Sequence, residues 1–426
     1  MTDIPLADGP DSLEPTHPPY ESKATKVVVG LLGAALLFGP WVAYAGGARS
    51  DQVPGENRTL APRPTIDGFD TFPQVTQYAA DHFPLRDAAI RGNKRLIEKL
   101  FGEDPSYFGS ATTLQVLQGE QGWLYLYDDF NEACAPKVAL KDVLAGVSRL
   151  NRILVDSGRR LVVTMPPDKS TVDTQFLPKS FALKECTDTA RAARWKAIRA
   201  LDLPGWVDMR KHVEDQEKRL GKPGFLPYDT HWNQDSQALF ATEMARQLDP
   251  ALLQGTKVAP GPEYVEHGDL ETLQGIVKDH RFHAVFVQRD GVTTTRTDDE
   301  LGPVKGAYTV SHFAGKAGGT ATLFDPKTVW IGDSFTQRSL DSGTIQYFFR
   351  DMTRVPELTK AVLASGGKPE VYTEARQRMI AEIVASKVTV LELVERTFMG
   401  AGGYGSMWDP KTHFLDDLQK ALDAAK

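Results

Sequence analysis

Two short segments carry residue types that could perform acyl transfer: Asp229 and His231 in PYDTHWNQDS, and Ser334 at the end of TVWIGDS. A serine hydroxyl is a weak nucleophile unless a base removes its proton, and the base needs a partner that fixes its tautomer. His231 could be that base and Asp229 that partner, because residues two apart on an extended segment point to the same side. The three residues together would form a catalytic triad.

Other interpretations of these short patterns stay open. Gly332-Asp333-Ser334 is also ordinary turn composition, and Asp-x-His occurs by chance in solvated loops or as two ligands of a metal ion. Neither H-E-x-x-H nor a cluster of Cys and His accompanies the pair in the sequence. We therefore expect no metal ion and no cofactor.

The surrounding pattern would place further polar residues near the same sheet edge, because ligands of α/β sheets bind where the strands end. Asp168 and Lys169 follow the strand RLVVTMPP, and Arg338 lies four residues after Ser334 on a predicted helix. All three are candidates for substrate binding, although a helix cap or a surface ion pair fits Asp168 and Lys169 equally well. Asn233 is predicted to cap a helix that would hold the Asp-His segment against the core.

Strands alternate with helices through most of the chain, which predicts parallel pairing and a three-layer α/β domain. The segment HAVFVQRDGVTTTRT is instead typical of a β-hairpin that turns at Asp290-Gly291, and it predicts an insertion near residues 281–300. The predicted helices cover 140–156, 190–201 and part of 374–386, and the predicted strands cover 122–127, 160–167, 206–209, 328–334 and 388–395.

Length and charge restrict the class of protein. A chain of 426 residues with 41% apolar residues can bury a large core. The net charge of −7 arises from interspersed acids and bases without a basic stripe, which argues against a nucleic-acid partner.

The segment Val27–Ala45 indicates a membrane anchor, because no charged residue occurs between Lys26 and Arg49 and about 17–25 apolar residues cross a bilayer. Positive charges before it predict a cytoplasmic N-terminus and an exported, extracytoplasmic remainder. A cleaved signal peptide with an A-x-A site at residues 43–45 is the alternative. The predicted organisation is a tail at 1–26, an anchor at 27–45, a linker at 46–65 and one domain at 66–426.

Cys134 and Cys186 are the two cysteines of the chain. In an exported domain such a pair is more consistent with a disulfide than with a redox or metal site, because no C-x-x-C spacing is present. We therefore predict a bridge between them.

Several motifs, taken together and in order, resemble the SGNH-hydrolase-like alginate O-acetyltransferases of the AlgJ/AlgX type. The order of Asp-x-His before Gly-Asp-Ser resembles the permuted arrangement of this branch. The short tail after residue 398 favours the membrane-anchored, AlgJ-like type. The matching motifs are ENRTLAPRP (56–64), GWLYL (122–126), PPDKSTV (166–172), YDTHWN (228–233), IGDSF (331–335) and LELVERTF (391–398).

The resemblance implies a reaction and a role for each residue. Ser334 would be the nucleophile, His231 the general base and Asp229 its orienting partner. An acetyl group would move through an acetyl-serine intermediate onto a hydroxyl of an extracytoplasmic polysaccharide. The acetyl donor would be a multipass membrane O-acyltransferase, because acetyl-CoA is cytoplasmic whereas this domain is predicted to be outside.

Two other functions are compatible with the same sequence. An esterase of the same fold would use the same triad to remove acetyl groups, because only the access of water and sugar to the acetyl-enzyme differs. A non-catalytic envelope protein could use the fold to bind glycan, although the presence of all three triad residues argues against it.

Overall fold

The computed structural model describes residues 42, 46, 63–64, 74–75, 78, 82, 116–274, 276–301, 308–358, 369–399 and 407–426. The chain divides into two units, of which the second comprises residues 53–59 and 95–426 and is the one described below. The predicted tail, anchor and linker at 1–26, 27–45 and 46–65 lie outside the described residues, apart from 42, 46, 63 and 64. Within the described ranges, no helix is both long and apolar enough to cross a membrane.

Strands and helices alternate along the second unit. Their bounds in chain order are β1 (Val116–Gln118), β2 (Leu124–Leu126), α1 (Asp128–Cys134), α2 (Leu140–Asp156), β3 (Arg160–Thr164), α3 (Lys169–Val172), α4 (Lys184–Arg199), β4 (Trp206–Val207), α5 (Met209–Leu220), α6 (Gln234–Leu248), β5 (Thr256–His267), α7 (Asp269–Leu273), β6 (Asp279–Arg289), β7 (Val292–Glu300), β8 (Thr309–Ala317), β9 (Thr328–Gly332), α8 (Ser334–Asp341), β10 (Asp351–Pro356), α9 (Pro369–Ala385), β11 (Val388–Glu392), α10 (Glu395–Phe398) and α11 (Phe414–Ala424).

A seven-stranded sheet with the order β4-β3-β11-β9-β10-β8-β7 forms the centre of this unit. The first five strands run parallel to one another, whereas β8 pairs antiparallel with both β10 and β7. The predicted α/β fold with a mainly parallel sheet is therefore present, with an antiparallel edge that the sequence pattern did not predict.

Both faces of the sheet are buried, as expected for parallel strands. On β9, Trp330 packs in a core shared with α5, α6 and α8, whereas Val329 and Ile331 pack in a second core shared with α2, α9 and α11. On β11, Val390 and Leu391 divide between the same two cores. Side chains of a strand alternate between its faces, so this division establishes three layers, with helices on each side of the sheet.

The segment 281–300 does not form the predicted hairpin. The chain turns at Asp290-Gly291, where Gly291 has a φ of 67°, but β6 pairs along its length with β5 and β7 pairs with β8. Alternating residues and a turn signal cannot by themselves identify a strand's partner. Here the two strands joined by the turn pair with different strands and not with each other.

Strands β5 and β6, with α7 between them, form a separate two-stranded sheet over residues 256–289, which we call the arm. The N–H of Leu270 donates to the carbonyl oxygen of Tyr228 at 3.2 Å, and the ring of His280 stacks on the Tyr228 ring at 3.4 Å between centroids. Gly268 approaches Tyr228 so closely that a Cβ would lie 2.2 Å from its carbonyl oxygen. The tip of the arm is therefore docked on the residue before Asp229.

Cys134 at the end of α1 and Cys186 in α4 form a disulfide in the structure. The bond joins α1 to α4, and its two cysteines are 52 residues apart in sequence. These helices lie beside the sheet edge where the candidate site is found.

Gly332, at the end of β9, has no room for a side chain. A Cβ there would lie 2.2 Å from Thr336 Oγ1, which is fixed because it accepts from Trp330 Nε1 at 2.9 Å and donates to Glu392. We expect Gly332→Ala to lower the free energy of unfolding by about 1–3 kcal/mol through overpacking, measured by urea denaturation. Gly318→Ala, at an exposed glycine whose Cβ would lie 3.4 Å from its nearest neighbour, is the control and should change stability little. Equal stabilities for the two variants would contradict the prediction.

Candidate active site

Three parallel strands end together at one edge of the sheet. Glu392 at the end of β11 is in register with Thr164 of β3 and with Gly332 of β9. The segments that follow these strands begin at residues 165, 393 and 333, so they emerge side by side. This edge is where α/β proteins place their ligands.

Ser334 is the first residue of α8 and its side chain is exposed. Asp333 caps the helix, because its Oδ1 accepts from the N–H of Phe335 at 2.9 Å and its Oδ2 accepts from the N–H of Val394 at 2.8 Å. The N–H of Ser334 makes no hydrogen bond to another described residue. As one of the free donors at a positive helix end, it is suited to stabilise a developing oxyanion.

Asp229 and His231 are directly bonded to each other. Oδ1 of Asp229 accepts from the backbone N–H of His231 and from its ring Nδ1, both at 2.8 Å. Asp229 is 2% exposed and the His231 side chain 12% exposed. The segment is followed by α6, which Asn233 caps as predicted by accepting from the N–H of Ser236 at 3.1 Å.

The second oxygen of Asp229 is occupied as well. Oδ2 accepts from Arg338 Nη2 at 3.2 Å and from the backbone N–H of Asp269 at 3.3 Å. Arg338 also forms an ion pair with Glu266 of the arm. Arg338 therefore reaches the site, as predicted, but its structural partners are two carboxylates.

Asp269, at the start of α7, is a second carboxylate beside His231 that sequence reasoning missed. Its Oδ2 lies 3.4 Å from His231 Nδ1, and its carboxylate accepts from the N–H of Thr230 at 2.7 Å and from the Thr230 hydroxyl. Asp269 is 38 residues after His231, in the connection between β5 and β6. No local pattern announces such a contact, although an aspartate after Gly268 does mark a helix start.

These contacts make the dyad an ion pair. Burial alone would lower the pKa of His231, but Asp229 and then Asp269 outweigh burial and raise that pKa to about 9. Burial alone would raise the pKa of Asp229, yet His231 and Arg338 hold it well below its usual range. Since the folded pKa of His231 exceeds its unfolded value of 6.5 and that of Asp229 lies below its unfolded value of 3.8, the pair stabilises the fold fully between these two pH values. The contribution is lost as the pH rises through about 9.

The same cluster has the composition of a small cation site. One ligand-type atom from each of Asp229, His231 and Asp269 lies within 4.8 Å of the others. However, the positive guanidinium of Arg338 already contacts Asp229, and Nδ1 of His231 is bonded to the same carboxylate. Both oxygens of Asp229 are thus already occupied by donors of the protein itself.

Helix α8 contacts the dyad through two residues that follow Ser334. Phe335, the next residue, has its ring centroid 5.1 Å from that of His231, and Arg338 lies one turn further on. His231 Nε2 is buried and has no hydrogen-bond partner among the described residues, so a Ser334–His231 bond is not formed in this structure. Such bonds are often long or absent in unliganded sites and tighten with substrate.

Lys169 lies behind the Asp-His segment and not on the surface of the site. It is 1% exposed, and its Nζ donates to the carbonyl oxygens of Leu226, Pro227 and Asp229 at 3.0, 3.2 and 2.7 Å. Nζ also lies 5.3 Å from the ring centroid of Tyr125. Burial lowers the pKa of Lys169 to about 8, although nearby Asp229 opposes the shift. Lys169 therefore holds the backbone that carries Asp229.

Asp168 belongs to a buried ionic network on the other side of the site. Its Oδ1 accepts from Arg396 Nη1 at 2.6 Å, and the same Nη1 lies 3.3 Å from Asp129. The Arg396 guanidinium in turn lies 5.6 Å from the ring centroid of Phe335, the residue that contacts His231. Burial and the charge of Asp129 raise the pKa of Asp168 well above its usual range. Asp168 thus supports the site from behind.

The domain has three layers around a mainly parallel sheet. It also has a serine at the start of the helix after one strand, with an Asp-x-His pair nearby, and this combination is typical of an SGNH hydrolase-like domain. The chain belongs to the family described as "SGNH hydrolase-like domain, acetyltransferase AlgX", whose family model matches residues 116–340. The resemblance to the AlgJ/AlgX type is thereby confirmed.

The comparison with solved structures finds matches that include two chains named for these proteins. The O-acetyltransferase domain of Pseudomonas putida AlgJ is 17% identical, with coverage of 72% of this chain and 98% of that domain and a TM-score of 0.44. Pseudomonas aeruginosa AlgX is 12% identical, with coverages of 74% and 70% and a TM-score of 0.42. Bacillus cereus PatB1 with a sulfonyl adduct is 10% identical, with coverages of 68% and 99% and a TM-score of 0.44. The comparison with curated protein sequences finds no match.

Asp269 should set the pH at which His231 becomes a base. Asp269→Asn keeps an acceptor for the Thr230 N–H but removes the charge that helps to raise the His231 pKa. In the wild type, acylation of Ser334 by an activated acetyl ester should accelerate up to a pH of about 9, and the variant's rise should occur at lower pH. The measurement is the acylation rate constant as a function of pH. Asp279→Asn, at a 75%-exposed side chain of the arm, is the control; an unchanged midpoint in Asp269→Asn would refute the prediction.

Lys169 should be needed to hold the segment that carries Asp229. Lys169→Met keeps the length of the side chain but removes the donor of the Asp229 carbonyl oxygen and one of two donors from those of Leu226 and Pro227. We therefore expect a loss of about 1–3 kcal/mol in the free energy of unfolding. Acylation of Ser334 should slow more than about tenfold, because small displacements of catalytic groups are costly. Chemical denaturation and the acylation rate are the two measurements. Lys196→Met, at an exposed lysine of α4, should stay within about 0.5 kcal/mol of wild type. Unchanged values for Lys169→Met would rule out the anchoring role.

Proposed function

We propose that this protein is an O-acetyltransferase that moves an acetyl group onto hydroxyls of a polysaccharide through an acetyl-Ser334 intermediate. One observation carries the proposal: an exposed serine begins the helix whose following residues Phe335 and Arg338 contact a buried, ion-paired Asp229–His231 dyad. The family supports acetyl transfer as the class of reaction. The polysaccharide acceptor is supported by the AlgJ/AlgX-type resemblance, since alginate is the polysaccharide of that family's name.

In the first half-reaction, Ser334 Oγ attacks the carbonyl carbon of the acetyl donor while His231 Nε2 takes the hydroxyl proton. The Ser334 N–H stabilises the oxyanion of the tetrahedral intermediate. The intermediate collapses as the bond to the leaving group breaks, and His231 returns the proton to that group. The products are acetyl-Ser334 and the protonated leaving group.

In the second half-reaction, a sugar hydroxyl approaches the acetyl-enzyme. His231 takes the hydroxyl proton as the sugar oxygen attacks the acetyl carbon, and the proton then passes to Ser334 Oγ when the acyl bond breaks. Asp229 and Asp269 stabilise the imidazolium that forms in each half-reaction. The same contacts keep His231 protonated at neutral pH in the resting protein, so the base form is more populated at alkaline pH.

We also propose that segment 27–45 anchors the domain on the outer side of the cytoplasmic membrane. An acetyl donor made from cytoplasmic acetyl-CoA must then be relayed across that membrane. A multipass membrane O-acyltransferase is the class of partner that performs such a relay, and the Cys134–Cys186 disulfide is consistent with an oxidising compartment.

The covalent step is tested by the mass of the intact protein after exposure to an activated acetyl ester. Wild type should gain one acetyl group. Ser334→Ala should gain none while keeping its thermal stability, because Ser334 is exposed. His231→Ala should acylate about 10²–10⁴-fold more slowly, in the range expected for loss of a general base.

Discharge of the acetyl adduct in the presence and absence of an acceptor glycan distinguishes a transferase from an esterase. Glycan oligomers should discharge the adduct faster than water does and should become acetylated themselves, whereas discharge by water alone would favour the esterase. An adduct that persists in Ser334→Ala would place the acetyl group elsewhere, and no adduct in folded wild type with several donors would favour a glycan-binding protein.

A further inference from the structure

One face of the arm carries a row of residues that leads away from Ser334. Tyr264 of β5 is directly opposite Phe282 of β6, and Phe286 and Gln288 continue the same face of β6, since every second residue of a strand points to the same side. Glu266, which pairs with Arg338, begins this row at the dyad. We call the row the arm face; it comprises Glu266, Tyr264, Phe282, Phe286 and Gln288.

Helix α8 follows the arm face. Ser334 and Arg338 of the helix and its C-cap residue Ser342 are spaced four residues apart, so they form a stripe along one side. The Arg338–Glu266 ion pair joins this stripe to the arm. At a rise of about 1.5 Å per residue, Ser342 lies about 12 Å along the helix axis from Ser334, a distance that a short oligosaccharide can span.

The stripe and the arm face meet again at a cavity of about 340 Å³, whose lining includes Phe286, Gln288, Arg289, Ser342 and Tyr347. Its side chains combine two aromatic rings with an amide and two hydroxyl groups. Sugars need these groups, because their C–H faces pack on aromatic rings and their hydroxyls both donate and accept hydrogen bonds.

The ring of Phe286 is held in place and remains partly open to solvent. It is 37% exposed. Across the arm, Gly261 lets the ring lie against the neighbouring strand: a Cβ at this glycine would lie 2.5 Å from Phe286 Cε2 and 2.9 Å from Cδ2. The Phe286 ring therefore packs on the backbone of Gly261 and leaves part of its surface open to solvent, where a sugar could stack.

The charge of this region points to the kind of sugar. Among the described residues that line the cavity, Arg289 alone is charged, and its guanidinium is already used. It donates to the carbonyl oxygens of Tyr347, Leu252 and Thr322 at 2.7–2.8 Å. The net charge of the chain is −7. An anionic polymer would find no free cation in this cavity, so an uncharged one fits better.

We propose that the arm face and this cavity bind an uncharged hexose segment of the acceptor polysaccharide, several sugars away from the hydroxyl that is acetylated at Ser334. This proposal rests on the proposed function, because it takes the acceptor to be a polysaccharide, but what it adds is a binding site and not a further step of the reaction. Phe286 supplies the stacking surface, and Gln288, Ser342 and Tyr347 supply hydrogen bonds. The polymer extends from Ser334 across the Arg338–Glu266 pair to the base of the arm.

The test is calorimetric titration of the protein with cellohexaose, mannohexaose (β-1,4-linked), cellobiose and a mannuronic acid hexamer. At least one neutral hexamer should bind at least tenfold more tightly than the mannuronate hexamer and than cellobiose. Phe286→Leu, which removes the ring, should weaken that hexamer about tenfold and leave cellobiose unchanged. Gly261→Ala, which displaces the ring without changing it, should have the same effect. Val265→Ala, at a 54%-exposed position on the opposite face of the arm, is the control and should bind as wild type.

The acetyl adduct on Ser334 is measured in the same proteins, and the control Val265→Ala should form it at the wild-type rate. If both neutral hexamers fail to bind wild type, if mannuronate binds more tightly, or if Phe286→Leu binds as wild type, the proposal is wrong even when the adduct forms. If no adduct forms but hexamer binding depends on Phe286, the glycan site stands and the acetyl transfer fails.

Discussion

The buried carboxylate of Asp229 is the charge around which the site is built. An ionised carboxylate without partners costs several kcal/mol in a protein interior, and this one has four donors: two from His231, one backbone N–H from the arm and the guanidinium of Arg338. These donors come from three parts of the chain, namely the loop before α6, the arm and α8. The charge of one side chain thus fixes the position of α8, which begins at Ser334, relative to His231.

A second layer of buried charge supports the first. Glu395 of α10 lies 3.6 and 3.5 Å from Arg191 and Arg194 of α4, and it accepts from the Thr171 hydroxyl at 2.6 Å. Although burial alone would raise the pKa of Glu395, the two arginines lower it. Together with Lys169, these contacts tie the segments after β3 and β11 to the outer helices. Each charge is paired, so none of them needs to face the substrate.

The sequence predicts this architecture well where local pattern and chemistry agree. Helix α2 at Leu140–Asp156 has the predicted bounds, and the Asn233 cap follows from side-chain chemistry close in sequence. The Asp229–His231 contact is local for the same reason. What the pattern cannot give is the pairing of distant strands: it joined β6 to β7, whereas each pairs with another strand, and it therefore missed Asp269. The pattern also cannot predict which polar side chains are buried. Lys169 lies in a sequence that suits an exposed helix start, but its ammonium group is enclosed by backbone carbonyl oxygens.

The arm is a sheet of its own, yet it delivers Glu266 and Asp269 to the dyad. Neither strand of the arm pairs with the central sheet, although Val287 of β6 packs in the first core. An insertion of this kind can lengthen, shorten or change sequence during evolution while Ser334 and the Asp229–His231 segment keep their places in the fold. Related domains that share the triad could therefore diverge in working pH and in the polymer they accept through changes confined to about thirty residues, and exchange of the arm between homologues becomes a route to new acetylation patterns.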